Sequence, residues 1–227
     1  MAESRQGRRG SYAKGVAKRE EILQTALDVI AREGFRGASV KELADAVGLS
    51  QAGLLHYFGT KEELFAEILR KRDELDTVAF GLDLDQPTAA ADMRAGYLGV
   101  IRQNAEVPGL VQLFARLSVD AADPQHPAHG FFVERGEALR SVFAEAVVRQ
   151  QDAGDLTRSI APDTLARIFQ AVADGLQLQW MLEPEVDMAG TVDALFGLLS
   201  GPGSAPAAAR SAGPAGACDG PERKDAE

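Results

Sequence analysis

Apolar residues recur at helical spacing along most of the chain. From Lys18 onward, Ile22, Leu23, Ala26, Leu27, Val29 and Ile30 line one side of a helix that Gly34 stops, and Phe35 begins a short link. Ser39-Val40-Lys41-Glu42 is a capping box opening a helix through Leu43, Ala44 and Val47, closed at Gly48. Ser50 is a second N-cap, for a short helix from Gln51 to Phe58 that Gly59-Thr60 breaks. Thr60-Lys61-Glu62-Glu63 is another capping box, and its helix carries Leu64, Phe65, Ile68, Leu69 and Leu75. Leu43, Ala44, Val47, Leu49, Leu54 and Phe58 form the expected buried set between the short helices, with Ala44 and Gly48 small for close approach.

Residues 81–87, with Gly81, alternating aspartates and Pro87, read as a linker. Helical patterns follow over about 88–105, 108–121, 129–152, 162–182 and 188–200. Pro108 and Pro162 fall where a first turn tolerates proline, and Gly154 and Glu183-Pro184 act as stops. No run alternates as a strand would, so the chain reads as all-α. At the ends the periodicity disappears. Met1 to Ala17, rich in Arg, Gly and Ser, reads as a mobile arm, and 201–227, with eight Ala, five Gly and four Pro, as disordered.

Charge changes this picture. The net charge is −10, yet residues 1–80 carry 13 basic and 13 acidic side chains, so the whole excess of acid lies on 81–227. Residues 1–19 hold six basic groups against Glu3 alone. A basic head on an acidic protein suits a polyanion at one end; it equally describes a solvated tail. No apolar run approaches the ~18 residues of a membrane span, and the basic start lacks the apolar stretch of a secretory signal. The single cysteine, Cys218, excludes a disulfide framework or a cysteine-based zinc site within one chain. A cytoplasmic location is the simple expectation.

The informative stretch is Ser39 to Phe65, SVKELADAVGLSQAGLLHYFGTKEELF, two short helices joined by a glycine-containing turn. With the helix from Lys18 to Glu33, Gly34-Phe35, Val47-Gly48-Leu49-Ser50, Gly53 to Phe58 and Lys61 to Phe65, it resembles the TetR family of bacterial transcription regulators over about 50 residues. The resemblance implies a three-helix DNA-binding domain over 18–80, following the arm 1–17. A helical ligand-binding and dimerisation domain would occupy 81–200, before the tail 201–227.

It also implies DNA contacts from Ser39, Lys41, Ser50, Gln51, Gly53, Leu55, His56, Tyr57 and Lys61. The chemistry agrees: Gln can read adenine bidentately, and hydroxyls, lysines and helix N-terminal amides bind phosphate. Leu55 departs from the tyrosine frequent in the family there; it could touch a thymine methyl or pack inward. His56 could equally be structural.

For the second domain the resemblance implies a small-molecule effector, double-stranded operator DNA as partner, and a homodimer through the last two helices. Candidate effector contacts are Met93, Tyr97, Leu113, Phe114, Leu117, Phe132, Phe169, Asp174, Gln177 and Trp180. Such a set describes a packed core as well as a pocket. The last two helices are apolar around much of their circumference, which requires more than one packing partner. His126 and His129 flank Pro127-Ala128 near Asp123, too few converging groups for a metal, and no catalytic arrangement or cofactor motif is legible. The function expected is a ligand-responsive repressor and not an enzyme. The alternative is a small-molecule binding module without operator binding, a reading the substitution at Leu55 leaves open.

Overall fold

The computed structural model describes residues 3–80 and 93–201, with side chains described from Ala13 to Ala79 and from Met93 on. The expected linker 81–87, the start of the helix placed at 88 and nearly all of the tail lie outside the described residues. Among the described residues the elements are α1 (Glu3–Glu33), a 3-10 turn (Phe35–Gly37), α2 (Val40–Ala46), α3 (Gln51–Leu55), α4 (Lys61–Phe80), α5 (Met93–Glu106), α6 (Pro108–Asp120), α7 (His129–Ala153), α8 (Pro162–Leu182) and α9 (Met188–Leu198).

Two expectations about helix ends are corrected. α1 begins at Glu3, not near Lys18. Residues 3–17 contain no proline, so despite Gly7, Gly10 and Gly15 they prolong an established helix at one hydrogen bond per residue without needing an apolar face. α3 stops at Leu55, and His56 to Phe58 form a turn into Gly59, whose φ of 90° no other residue adopts readily.

The helices pack into two cores. The first joins Ile22, Leu27 and Ile30 of α1, Leu43 of α2, Leu54 of α3 and Leu64 and Ile68 of α4 to Leu110, Leu113 and Leu117 of α6. The second gathers Leu98 and Ile101 of α5, Val147 of α7, Leu165 and Phe169 of α8 and Val192 and Phe196 of α9. α6 therefore ties the N-terminal helices to the rest. At its start Gly109 lies so close to the end of α1 that an added Cβ would sit 2.6 Å from the Ile30 carbonyl oxygen and 2.9 Å from the Phe35 nitrogen. α4 makes the second tie. Arg135 of α7 donates twice to Asp73 of α4, at 2.6 and 2.9 Å, and Arg72 of α4 donates to Asn104 of α5.

Candidate functional site

The N-terminal face is built by caps and turns. The Ser39 hydroxyl accepts from the Glu42 amide at 3.4 Å, and the Ser50 hydroxyl from the Gly53 amide at 3.0 Å. The Thr60–Glu63 box is complete in both directions, at 2.8 and 3.1 Å. Gly48, expected to be small for close packing, is needed for conformation instead: φ is 69° and a Cβ there would meet nothing within 4 Å. Leu43, Ala44, Leu54 and Phe58 are buried, Val47 and Leu49 partly so.

That packing leaves Ser39, Lys41, Ser50, Gln51, His56 and Lys61 exposed, with Gly53, Leu55 and Tyr57 half-buried. Lys41 lies 3.8 Å from Asp45, and the Lys61 ammonium sits 5.6 Å from the Phe65 ring centre. His56 and Tyr57 meet edge to face with centroids 6.1 Å apart. Leu55 packs partly against the first core. The nine candidate DNA contacts thus share the stretch formed by the start of α2, the length of α3 and the turn into α4.

Two residues of this region escaped the sequence reading. Arg19 of α1 donates to the Tyr57 carbonyl at 2.7 Å, pairs with Glu67 at 2.7 Å and covers the Phe58 ring at 4.6 Å, so it holds the turn after α3. Lys18 donates to the Val47 carbonyl at 3.3 Å, at the end of α2, where a cation also meets the negative pole of the helix. In the sequence both were merely part of a basic head.

Behind this face, between α4, α5, α7 and α8, lies a cavity of about 610 Å³. Of the ten candidate effector contacts, Met93, Tyr97, Phe114, Phe169, Asp174 and Gln177 line it. Four do not. Leu113 and Leu117 are buried in the first core, Phe132 packs against that core beside Phe114, and Trp180 packs on the second core. The α6 residues share one helical face, which periodicity recognises as apolar without saying whether it faces a void or another helix.

The polar part of the wall comes mainly from α4 and α7: Arg72, Asp73, Asp76 and Arg135, with Asn104, Phe143 and Gln170. Their signal was faint, since spacing along α4 does not separate buried charges from solvated ones. Burial lowers the pKa of the Arg72 guanidinium despite Asp76 3.4 Å away, and raises the Asp76 carboxyl. Burial also works against Arg135, but its bidentate partner Asp73 outweighs it and the pKa is raised. The Tyr97 hydroxyl donates to the Phe169 carbonyl at 2.9 Å, and burial, then the charge of Asp174, push its pKa up. Burial likewise raises the Asp174 carboxyl, with Arg135 opposing.

His126 and His129 serve the loop before α7: one accepts from the Ala128 amide at 3.2 Å, the other bonds the Ala121 carbonyl at 2.8 Å. Among the described residues no helix is long and apolar enough to cross a membrane.

These features define a class: a helix-turn-helix protein joined by two ties to further helices that, with α4, line a cavity. The family model described as bacterial regulatory proteins, tetR family, matches residues 22–68. The chain is 28% identical to the HTH-type transcriptional repressor Rv1474c of Mycobacterium tuberculosis, over 70% of this chain and 80% of that one. It is 41% identical to the repressor AcnR of Corynebacterium efficiens over 26% of this chain and 31% of that one. A solved regulator from Saccharomonospora viridis in complex with choline shares the fold, with a TM-score of 0.60, 22% identity and coverage of 81% and 97%. The chain thus carries a helix-turn-helix segment of the TetR type over residues 22–68 and is similar, over most of its length, to TetR-like regulators.

Proposed function

We propose that this protein is a homodimeric transcriptional repressor that leaves its operator when a small molecule occupies the cavity. The observation that carries the reading is the placement of α4. Its first residue, Lys61, lies beside the exposed α2–α3 face, and its second half supplies Arg72, Asp73 and Asp76 to the cavity wall. A ligand that displaces α4 moves the recognition helix with it, and the ligand's preference for one position of α4 is the coupling energy.

Relatives named as repressors, and a neighbour of the same fold holding choline, support the regulatory and ligand-binding parts of the reading. For the dimer, the outward side of α8 and α9 carries a stripe of apolar or small residues: Ala171, Gly175, Leu178 and Leu182 on α8, after the exposed Arg167, with Ala194, Gly197 and Leu198 on α9. Leu182 and Leu198 are each 84% exposed in the single chain. Two copies meeting here would present two recognition helices to successive major grooves, roughly 34–36 Å apart.

The test is selection of DNA fragments bound by the purified protein, followed by a gel shift. A repressor of this kind yields a palindromic site; recovery of unrelated fragments only, with no shift on the upstream region of its own gene, would leave the binding module without operator as the better account.

A further inference from the structure

The proposed regulatory reading leaves open what the cavity binds, and the state of its polar groups narrows this. Of the charged side chains on its wall that are not exposed, Arg72 is engaged by Asp76 and Asn104, Arg135 by both oxygens of Asp73, and Arg140 by the Gln170 amide oxygen at 3.2 Å. Asp174 is different. It lines the same space, half-buried, and makes no hydrogen bond or ion pair with any described residue; Arg135 acts on it only at a distance. One turn further along α8, Gln177 is only 8% exposed, also faces the cavity and makes no hydrogen bond to a described residue. On this side of α8, where Gln170 is engaged by Arg140, the Asp174 carboxylate is an acceptor without a donor, and the Gln177 amide adds a second free acceptor oxygen beside its NH2 group.

The rest of the wall near them is aromatic. Tyr97, Phe143 and Phe169 pack with centroids 5.1 to 5.8 Å apart, and all three line the cavity. Ring faces attract cations and exclude anions. A volume of about 610 Å³ is that of a drug-sized ligand site. Away from solvent, an anionic ligand would have to take Arg135 from Asp73, Arg72 from Asp76, or Arg140 from Gln170, since the other arginines of the wall, Arg70 and Arg149, are exposed. A cation breaks none of these pairs.

From the unpartnered Asp174 and Gln177 beside the Tyr97–Phe143–Phe169 cluster, we infer that the effector is an organic cation, an ammonium or amidine head on an apolar body. The head lies against Asp174 with Gln177 accepting a hydrogen bond where the head can donate one, and the body lies among the rings. The inference rests on the cavity being the effector site, and its test separates the two.

Calorimetric titration of the full-length protein uses three probes of one shape: 4-phenylbutyl-trimethylammonium, its neutral tert-butyl analogue and 4-phenylbutanesulfonate. The cation should bind at least about tenfold more tightly than the neutral probe, and the sulfonate most weakly. Asp174→Asn, checked for native melting, should abolish the cation's advantage and leave neutral-probe binding unchanged, while Asp174→Glu should retain a cation preference. A cation advantage that survives Asp174→Asn, a preference for the sulfonate, or no binding of any probe would overturn the assignment. Gel shifts with the same probes address the regulatory reading separately: a cation that binds through Asp174 and leaves the operator complex intact upholds the ligand class and defeats the release mechanism.

Discussion

At the scale of single residues, the two faces of the molecule make different demands. Gln51 and Lys61 are exposed and make no hydrogen bond to a described residue, so replacing either should leave folding nearly untouched. Gln51→Ala should cost ~1–3 kcal/mol at one or two base positions of the operator, whereas Lys61→Ala should weaken binding to all sequences and reduce its salt dependence. Titrations against operator and mutated operators at two salt concentrations distinguish them; an unchanged Lys61→Ala affinity would remove Lys61 from the phosphate contacts.

Asp174 has the opposite character, a group whose charge the fold tolerates poorly. Burial raises its carboxyl pKa above the unfolded value. The folded state is therefore penalised wherever the carboxylate is charged. The penalty is absent below the ordinary carboxylate pKa, appears as pH rises through the interval up to the folded pKa, and is full above it. Asp174→Asn should melt higher than the parent at pH 7, and the gap should close as the pH falls into the carboxylate range. Melting curves at several pH values check this, and a variant that melts lower at pH 7 would mean that the carboxylate has a partner after all.

At the scale of elements, the ties between the two helical groups matter most. Gly109 lets the start of α6 rest on the backbone at the end of α1. Gly109→Ala sets a methyl against backbone rather than a flexible side chain, and should cost ~1–3 kcal/mol as the contact opens. Its signature should be a lower melting temperature together with a weakened response of operator binding to effector, because α6 no longer moves with α1. The same substitution at Gly130, where an added Cβ meets nothing within 4 Å, is the control.

For the whole molecule, the proposed dimer face is what DNA binding should depend on. On α9, Phe196 is buried within its own chain, its ring centroid 4.4 Å from that of Phe169, and Leu195 packs on the same core. Leu178, Leu182 and Leu198 are the residues turned outward. Leu182→Glu should leave the single chain folded, since the side chain is in water there, but a carboxylate buried between copies costs several kcal/mol. Light scattering should then report monomers, and operator affinity should fall by about two orders of magnitude or more as the two half-sites lose their linkage. A dimeric variant with normal operator binding would place the interface elsewhere.

How much of this was legible depends on how local its cause is. Helix starts and stops were readable because capping is a contract among four neighbouring residues: Ser39 with Glu42, Ser50 with Gly53, Thr60 with Glu63. The exposed side of α3 was readable too, since a five-residue helix with Leu54 committed to the core leaves few side chains facing out. Periodicity, however, reports only that a side is apolar. It could not tell that Leu113 and Leu117 press against the N-terminal helices while Phe114, on the same helix, borders a cavity. It could not tell that Phe196 turns inward and Leu198 outward, nor that Arg19 reaches the carbonyl of Tyr57, 38 residues on. By itself the sequence determined the helical character of the described residues, their punctuation and the helix-turn-helix resemblance over 22–68, because these rest on interactions spanning a few residues. Only the tertiary structure decided which charges on α4 are buried, which apolar positions enclose space and which carboxylate is left without a donor. Those outcomes depend on what distant elements bring to the same place, and no spacing within one helix encodes that.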